Sequence, residues 1–396
     1  MFRGALLKKI GVFLGSEPGS GGMFQYSQAV LDAVASLPNS EYSSVVAYSS
    51  PQWDSYLESS KLRSIHIGSI GGIFSLSNLW RVAGLPIGAW RLISPYFHPI
   101  VRALVREQCD LWIFPAQDSW GYMAPVPSLA SVHDLMHRYE RRFPEVSANG
   151  RYYLRERLFR NICTWAKGIL VDSDVGKQQV HESYQVPSEQ IFVLPYVPPR
   201  YISEAVISSD FLHKYQLPEK FIFYPAQFWR HKNHIRLISA LARVKEKYPD
   251  ITLVLVGTRK NAYEDVVKHV NLLGLDSHVR IFGYVPDNDM PEFYRRARAM
   301  VMPTFFGPTN IPPLEAFALG CPVAVSNIYG IPEQVGDAAL LFDPNSVDEM
   351  ASCIERLWRD DALCVSLISK GNARTAMWGQ KNFSYNLCEI IKKITN

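Results

Sequence analysis

The feature that most constrains the fold of this chain is a regular alternation. Short runs of β-branched and aromatic residues are each followed by a turn and a segment of helical period. This alternation is typical of βα units and of mainly parallel sheets. The candidate strands are residues 10–15, 43–48, 62–68, 110–115, 128–134, 168–173, 191–195, 221–227, 251–257, 279–283, 299–304, 321–327 and 339–343. The pattern predicts an α/β protein with two Rossmann-like domains.

Length and composition agree with two folded domains. A chain of 396 residues, 47% hydrophobic and 20% charged, can bury two cores, and this composition excludes an intrinsically disordered chain. The longest uncharged windows are shorter than the ~20 apolar residues of a membrane-spanning helix. The apolar run near the N-terminus is also short, so we interpret it as a first strand rather than a signal peptide. Six scattered cysteines predict buried thiols in a reducing compartment.

Domain boundaries are expected where the alternation stops. Residues 197–210 contain a Pro pair and no sustained period, which indicates a linker. We therefore predict an N-terminal domain over residues 1–200, a C-terminal domain over 201–377 and a last helix over 378–396. Residues 69–105 are apolar and aromatic without a clear period. They are interpreted as an acceptor-binding or bilayer-contacting stretch, or as core between helices.

The net charge of +4 is concentrated in one segment. Residues 138–160 hold seven arginines and three glutamates, so the rest of the chain is neutral overall. Aromatic residues lie between the arginines, as in surfaces that meet the phosphates of a membrane or of an anionic ligand. A solvated, partly ion-paired amphipathic helix is the alternative. The arginines assigned to an acceptor- or membrane-proximal surface are Arg138, Arg141, Arg142, Arg151 and Arg155.

Ligands of open parallel sheets bind beyond the carboxyl ends of the strands, so residues at these ends are the candidate site residues. Gly21 and Gly22 end a glycine-rich turn that opens a helix, where backbone amides can approach an anion. The turn lacks the GxGxxG spacing of a dinucleotide site. His133 ends another strand, where it would donate to a sugar hydroxyl or a phosphate, or serve only a structural purpose.

A cluster of cations follows the strand at 221–227. Gln227 ends this strand, and Arg230 and Lys232 lie at the start of the next helix, where positive charge opposes the helix dipole. A bound diphosphate would explain the arrangement. A solvated basic turn is the alternative.

A second candidate anion site precedes the helix that begins at a Pro pair, Pro312 and Pro313. The backbone amides of Thr309, Asn310 and Ile311 are expected to remain for an anion. Glu315 lies in the first turn of this helix. It would accept hydrogen bonds from the vicinal hydroxyls of a ribose, although a carboxylate is also favoured there by the dipole alone.

Together these motifs carry a family resemblance. Residues 303–344, the His-Lys-Asn turn, the Val-His-Asp strand end and the glycine-rich N-terminal turn resemble the retaining GT-B glycosyltransferases of family 4, in order along essentially the whole chain. The resemblance implies two Rossmann-like domains facing each other across a cleft. It implies that the C-terminal domain binds a nucleotide-sugar, that the N-terminal domain binds the acceptor, and that the last helix crosses back to the N-terminal domain.

The resemblance also assigns roles to individual residues. It implies that Glu315 holds the ribose, that Lys232 stabilises the leaving diphosphate, and that His133 faces the transferred sugar. Gly21 and Gly22 would lie under the phosphates. The family usually has a glutamate where this chain has Gly307, and an arginine where it has Gln227. We expect Arg230 and the amides of Thr309 and Asn310 to take over part of these contacts.

The resemblance needs no cofactor and no metal, because Lys232, Arg230, backbone amides and a helix dipole can offset the charge on the diphosphate. Two Asp-x-Asp triplets, at 172–174 and 287–289, are interpreted as helix caps rather than metal ligands. The expected partners are a nucleotide diphosphate sugar, with GDP slightly preferred to UDP, a glycan or lipid-linked glycan, and an anionic membrane in peripheral contact. No nucleic acid is expected, and the expected location is the cytoplasm, at the inner face of a membrane.

The predicted function is therefore hexosyl transfer in polysaccharide or glycoconjugate biosynthesis. Two alternatives remain. One is a catalytically idle scaffold that binds a nucleotide-sugar or a glycan, which Gly307 and Gln227 make conceivable. The other is a nicotinamide-dependent oxidoreductase. Such an enzyme would share the Rossmann domains, but this chain lacks the GxGxxG motif of a dinucleotide site.

Overall fold

A computed structural model describes residues 7–17, 21–58, 60, 62–68, 71–204 and 210–396, except for the side chains of residues 71–75. Parts of three predicted features lie outside the described residues. They are residues 18–20 of the glycine-rich turn, residues 69 and 70 of the apolar stretch 69–105, and residues 205–209 of the linker.

Strands form at all thirteen predicted places. They are β1 Lys8–Leu14, β2 Tyr42–Tyr48, β3 Arg63–His66, β4 Leu111–Phe114, β5 Ser128–Ser131, β6 Gly168–Val171, β7 Ile191–Val193, β8 Ile222–Pro225, β9 Leu253–Val256, β10 Val279–Phe282, β11 Ala299–Met302, β12 Val323–Ser326 and β13 Ala339–Phe342. Strands such as β4 and β9 are apolar along their whole length and fully buried. Parallel strands covered on both faces have this character.

Helices occupy most of the chain between the strands. They are α1 Gly22–Ala35, α2 Asp54–Glu58, α3 Gly71–Ala83, α4 Ile87–Phe97, α5 Pro99–Arg106, α6 Trp120–Met123, α7 Met136–Tyr139, α8 Pro144–Ser147, α9 Arg151–Trp165, α10 Asp174–Tyr184, α11 Arg200–Glu204, α12 Phe211–Tyr215, α13 His234–Lys245, α14 Tyr263–Leu272, α15 Met290–Arg296, α16 Pro312–Ala318, α17 Ile331–Val335, α18 Val347–Arg359, α19 Asp361–Met377 and α20 Gln380–Thr395. Short 3₁₀ turns form at Pro51–Trp53, Ser188–Gln190 and Arg230–Lys232.

All strands pair in parallel within two sheets. One sheet has the order β3-β2-β1-β4-β5-β6-β7, and the other has the order β10-β9-β8-β11-β12-β13. In each sheet the order reverses beside the first strand, between β1 and β4 and between β8 and β11. Such a topological switch point is where ligands bind in doubly wound sheets.

The chain divides into two compact units. Unit 1 comprises residues 1–135, 150–196 and 380–396, and unit 2 comprises residues 136–149 and 197–379. The last helix, α20, therefore lies in unit 1, where Gln380 Nε2 donates to the carbonyl of Ala29 in α1 at 2.9 Å. The units differ from the sequence-based boundaries, because residues 136–149 are part of unit 2, and the main part of unit 2 extends from 197 to 379 instead of from 201 to 377.

Two segments that appeared irregular in the sequence contain helices. Residues 71–106 form α3, α4 and α5, and prolines mark their limits, since Pro86 precedes α4 and Pro99 is the first residue of α5. Proline is favoured at a helix start because its missing N–H needs no partner there. The predicted linker includes the short helix α11. Among the described helices, none is both long and apolar enough to cross a bilayer.

Candidate functional site

The switch point of unit 2 brings two loops together. One loop follows β8 and contains the Arg230–Lys232 turn, and the other follows β11 and leads to α16. The backbone N–H of Phe305 donates to the carbonyl of His231 at 2.8 Å, so the two loops are joined directly. Two segments that sequence analysis selected separately thus form one site.

Asn233 fixes the basic turn in place. It adopts a left-handed conformation (φ 62°), and its buried Nδ2 donates to the carbonyls of Pro303 and Pro344 at 3.0 and 2.8 Å. Tyr224 Oη, from β8, donates to the carbonyl of Lys232 at 3.0 Å. The backbone that carries Lys232 is therefore bonded to β8 and to the loop after β11.

Lys232 lies beside the second predicted anion-binding segment. Its half-buried Nζ is 3.5 Å from Asn310 Oδ1. Nearby, Gln227 Oε1 accepts a hydrogen bond from Trp229 Nε1 at 2.8 Å. Arg230 is exposed and pairs with Asp265 at 3.2 Å. Contact of Lys232, Gln227 and Arg230 with a diphosphate stays a prediction.

One of the three amides expected to bind an anion is already engaged. The N–H of Asn310 donates to Gln334 Oε1 at 3.1 Å, and Gln334 Nε2 donates to the Asn310 carbonyl at 2.6 Å. The expectation that this amide remains for an anion is therefore corrected. Thr309 is half-buried and Ile311 is buried, and a role for their amides stays a prediction.

Glu315 is a buried carboxylate held by two tyrosines. Tyr201 Oη donates to Oε1 at 2.5 Å, and Tyr294 Oη donates to Oε2. Burial raises the pKa of Glu315, which the two hydroxyls oppose, and burial raises the pKa of both tyrosines well above the usual value. Each carboxylate oxygen can accept two hydrogen bonds, so one acceptor site per oxygen remains after the tyrosines. Glu315 thus keeps the capacity to bind vicinal hydroxyls.

Tyr329 fills the space beside Gly307. A Cβ at position 307 would lie 3.1 Å from Tyr329 Cβ, which is tighter than ordinary packing. Tyr329 Oη donates to Glu140 Oε1 at 2.9 Å, and Arg142 Nε donates to Glu140 Oε2 at 2.8 Å. The position where the family usually has a glutamate is therefore packed against an aromatic side chain.

The basic segment is divided between the two units. Arg138, Arg141 and Arg142 lie in unit 2, where the Arg142 guanidinium lies 4.4 Å from the ring centre of Phe305 and pairs with Glu140. Arg151 and Arg155 lie in unit 1, and a left-handed Gly150 precedes α9. The prediction of one basic surface within the N-terminal domain is therefore corrected.

His133 is held on both ring nitrogens in unit 1. Its Nε2–H donates to the carbonyl of Pro115 at 2.7 Å, and Tyr196 Oη donates to Nδ1 at 3.1 Å. The edge of Tyr26 packs against the ring, with 4.9 Å between ring centres. Burial lowers the pKa of His133, so the imidazole is neutral. A contact of His133 with a transferred sugar stays a prediction.

Neighbouring groups in unit 1 are paired as well. Asp134 accepts from Arg155 Nη2 at 2.5 Å, and the Arg155 guanidinium lies 5.2 Å from the ring centre of Phe159. This ion pair accounts for an arginine at position 155 without any contact with a membrane.

Gly21 adopts φ 73° and precedes α1, and Gly22 is the first residue of that helix. The left-handed φ explains why glycine is needed at position 21, and contact with phosphates stays a prediction.

Within the described ranges, no three or more His, Cys, Asp or Glu side chains form a group that could hold a metal ion. The two Asp-x-Asp triplets have other contacts. Ser173, between the aspartates of the first triplet, caps α10 by accepting from the N–H of Gly176 at 3.0 Å. Asp289 of the second triplet accepts from Lys214 Nζ at 2.6 Å and from Tyr215 Oη at 2.7 Å.

Comparison with solved structures defines the fold family. The crystal structure of Anabaena Alr3699/HepE in complex with UDP and glucose matches 97% of this chain and 99% of that chain, with a TM-score of 0.72 at 17% identity. The fold is that of the GT-B glycosyltransferases, and the predicted fold class is confirmed.

The family comparison is more specific. Residues 208–374 match the family described as "Glycosyl transferases group 1", as the resemblance indicated. The chain is 31% identical over 263 residues to O-antigen chain mannosyltransferase B of Escherichia coli, covering 62% of this chain and 64% of that protein. It is 25% identical over 234 residues to the serotype-specific mannosyltransferase WbdA of Escherichia coli, covering 58% of this chain and 28% of that protein. The chain thus spans less than two thirds of the length of these relatives.

Sequence analysis did not identify four residues that shape these sites. Asn233 and Gln334 lie within motifs that carried the resemblance, so their positions were marked although their contacts were not. Glu145 and Tyr201 gave no signal, because their partners in the site, His231 and Glu315, are 86 and 114 residues away in sequence.

Proposed function

We propose that this protein is a retaining glycosyltransferase of family 4 that transfers a hexose from a nucleotide diphosphate sugar to a glycan. Similarity to O-antigen mannosyltransferases supports mannose as the hexose and GDP, in preference to UDP, as the nucleotide. The acceptor is a lipid-linked glycan, and the product is a polysaccharide. The observation that carries this proposal is the half-buried Lys232 at the switch point of a group 1 glycosyltransferase unit.

The proposed chemistry uses groups of the chain alone. As the bond between sugar and diphosphate breaks, negative charge grows on the diphosphate, and Lys232 Nζ would stabilise it without a metal. The contacts with Tyr224 and Asn233 hold the turn before the reaction, so little reorganisation is needed. Glu315 would bind the ribose through the acceptor sites that its tyrosine partners leave open. His133 would contact the sugar. The acceptor hydroxyl would attack on the face that retains the anomeric configuration, and its proton would pass to the departing diphosphate oxygen.

The test is nucleotide diphosphate release from GDP-mannose and, separately, from UDP-glucose in the presence of a lipid-linked glycan and EDTA. We expect release of GDP that persists in EDTA, with a product whose anomeric configuration by NMR matches that of the donor. Lys232→Ala should lower turnover by about 10²-fold or more. Lys268→Ala, an exposed lysine on α14, serves as the matched control and should leave turnover unchanged.

Glu315 requires an isosteric variant. Glu315→Gln keeps an acceptor for the tyrosines, whereas Glu315→Ala would leave both buried hydroxyls without a partner. We expect Glu315→Gln to raise KM for the donor without unfolding the protein. If neither donor is turned over by the wild type while GDP still stabilises it, the alternative of a catalytically idle scaffold is favoured.

We also propose a peripheral contact with an anionic membrane, at its cytoplasmic face. Exposed apolar side chains on α3 and α4, namely Leu79, Leu92 and Tyr96, support it, and so does the exposed Arg151 of α9. Apolar groups that insert at the interface and cations that meet lipid phosphates act together in such binding. Flotation with anionic liposomes should recover the wild type but not Leu79→Glu/Leu92→Glu. Equal recovery of both proteins contradicts the contact.

A further inference from the structure

A cavity opens at the switch point of the sheet in unit 1. Gly15 follows β1, Ser49 follows β2, and Gln117 and Asp118 follow β4, so the cavity lies beyond the carboxyl ends of three adjacent strands. Its volume is about 230 Å³. Sites for drug-sized ligands span ~300–1,000 Å³, so this cavity suits one small ring rather than a nucleotide.

The Asp118 carboxyl group lines this cavity and is incompletely satisfied. Its Oδ2 atom is buried and has no hydrogen-bond partner among the described residues. A side chain at position 15 would overlap the Asp118 carboxyl group, so glycine is required there to admit it. Burial raises the pKa of Asp118 to about 8. A buried polar group without a partner is costly, and a ligand that bonds to it would recover that cost.

Arg81 provides a complementary group in the same cavity. Its Nη2 donates to Asn78 Oδ1 at 3.1 Å, whereas its buried Nε has no partner within the ranges that the structure describes. Asp118 and Arg81 both line the cavity, but Asp118 Oδ2 and Arg81 Nε do not form a hydrogen bond with each other. An unpaired acceptor and an unpaired donor therefore border the same small space.

The lining selects one chemical class of ligand. Hydroxyl groups both donate and accept, so a polyhydroxylated ring can satisfy a carboxyl oxygen and a guanidinium N–H at once. Side-chain amides of Asn78 and Gln117 add further donors and acceptors, and Trp120 adds an apolar face.

We propose that this cavity binds one pyranose ring of the acceptor glycan, with Asp118 accepting from a sugar hydroxyl and Arg81 donating to one. The binding of a sugar follows from the cavity itself, and its assignment to the acceptor rests on the proposed glycosyl transfer. Asp118 and Arg81 are binding residues in this proposal and take no part in bond breaking.

The test is saturation-transfer NMR of the full-length protein with methyl α-D-mannopyranoside, together with thermal-shift binding of GDP. We expect saturation transfer with the wild type, and at least tenfold weaker sugar binding in Asp118→Ala and in Arg81→Ala. GDP binding should be unchanged in both variants. Asp118→Asn, which keeps the shape of the side chain, guards against loss of folding, and Glu41→Gln, an exposed carboxylate of unit 1, is the control.

Each outcome decides the proposal. No saturation transfer with the wild type, or equal sugar binding in the wild type, Asp118→Ala and Arg81→Ala, overturns it, even if the protein releases GDP from its donor. Sugar binding that depends on Asp118, in a protein that turns over neither GDP-mannose nor UDP-glucose, supports the cavity and contradicts the proposed transfer.

Discussion

Glu145 and His231 form a buried pair that links the 136–149 segment to the basic turn of unit 2. Glu145 Oε1 lies 3.3 Å from the backbone nitrogen of His231 and 3.3 Å from its ring Nδ1, and both N–H groups donate to it. The His231 ring stacks on Phe306, with 3.8 Å between ring centres. Because Lys232 directly follows His231, this pair bears on the geometry of the candidate donor site.

We expect loss of the Glu145 carboxylate to affect both stability and turnover. Burial opposes its charge, but the contacts with His231 lower the pKa of Glu145 to about 2. Glu145→Ala removes the acceptor of two hydrogen bonds from His231, so the free energy of unfolding should fall by about 1–3 kcal/mol. In urea unfolding, Glu145→Gln should lose less, because its amide oxygen can still accept.

Kinetics separates positioning from stability. Under conditions where the Glu145→Ala variant is fully folded, its kcat for donor turnover should fall, because the turn that carries Lys232 loses a support. Glu246→Ala, at the exposed end of α13, is the control and should change neither quantity. Normal kcat in folded Glu145→Ala contradicts a positioning role.

Gly307 should not tolerate the glutamate that the family usually has there. A side chain at this position meets Tyr329, and overpacking of this kind typically costs about 1–3 kcal/mol. We expect Gly307→Glu to lower the free energy of unfolding more than Gly307→Ala, and to raise neither kcat nor donor affinity. In the double variant with Tyr329→Ala, part of the loss should be recovered, because the ring is removed although Cβ stays, and a double-mutant cycle measures this. A stable, more active Gly307→Glu protein would be the opposite result.

The strands could be predicted from the sequence because each one combines a short apolar run with a flanking turn, as β4 and β9 illustrate. The candidate site residues at strand ends followed from topology alone, since parallel strands present their carboxyl ends at one edge. The helical nature of residues 71–106 was missed. Several of their apolar side chains, such as Leu79 and Leu92, are exposed, so the periodicity of a buried face is weak.

Contacts between distant segments set the limit of the sequence analysis. The motif that contains Asn310 suggested open amides, but Gln334 bonds to that residue from α17. In the same way, the arginines of residues 138–160 indicated one basic surface, whereas Arg142 pairs with Glu140 and Arg155 pairs with Asp134. Local patterns reveal which groups carry charge, and only the folded chain determines which charges are already paired.

Gln334→Ala should weaken donor binding. Gln334 makes two hydrogen bonds to the Asn310 backbone, and each such bond contributes about 0.5–1.5 kcal/mol. Without them the loop before α16 is less ordered in the free protein. Donor binding must then also order this loop, and the lost conformational entropy lowers the affinity. We expect KM for the nucleotide-sugar to rise more than kcat falls. Gln178→Ala, an exposed residue of α10, is the control, and an unchanged KM for Gln334→Ala would contradict this view.

The raised pKa of Asp118 predicts a pH-dependent stability. Its pKa is about 8 in the folded protein, against 3.8 for an ordinary aspartate side chain, so the folded state binds more protons than the unfolded state between these pH values. The contribution of this group to the free energy of unfolding is therefore greatest below pH 3.8 and falls as the pH rises towards 8. Asp118→Asn cannot ionise and should remove this dependence.

Unfolding by urea at pH 6 and at pH 8.5 measures the effect. The difference in free energy of unfolding between Asp118→Asn and the wild type should shift in favour of the variant at the higher pH. A saturating pyranose that bonds to Asp118 should reduce that shift in the wild type, because it provides the carboxylate with a partner. If the two proteins respond identically to pH, the pKa of Asp118 is not raised in the folded protein.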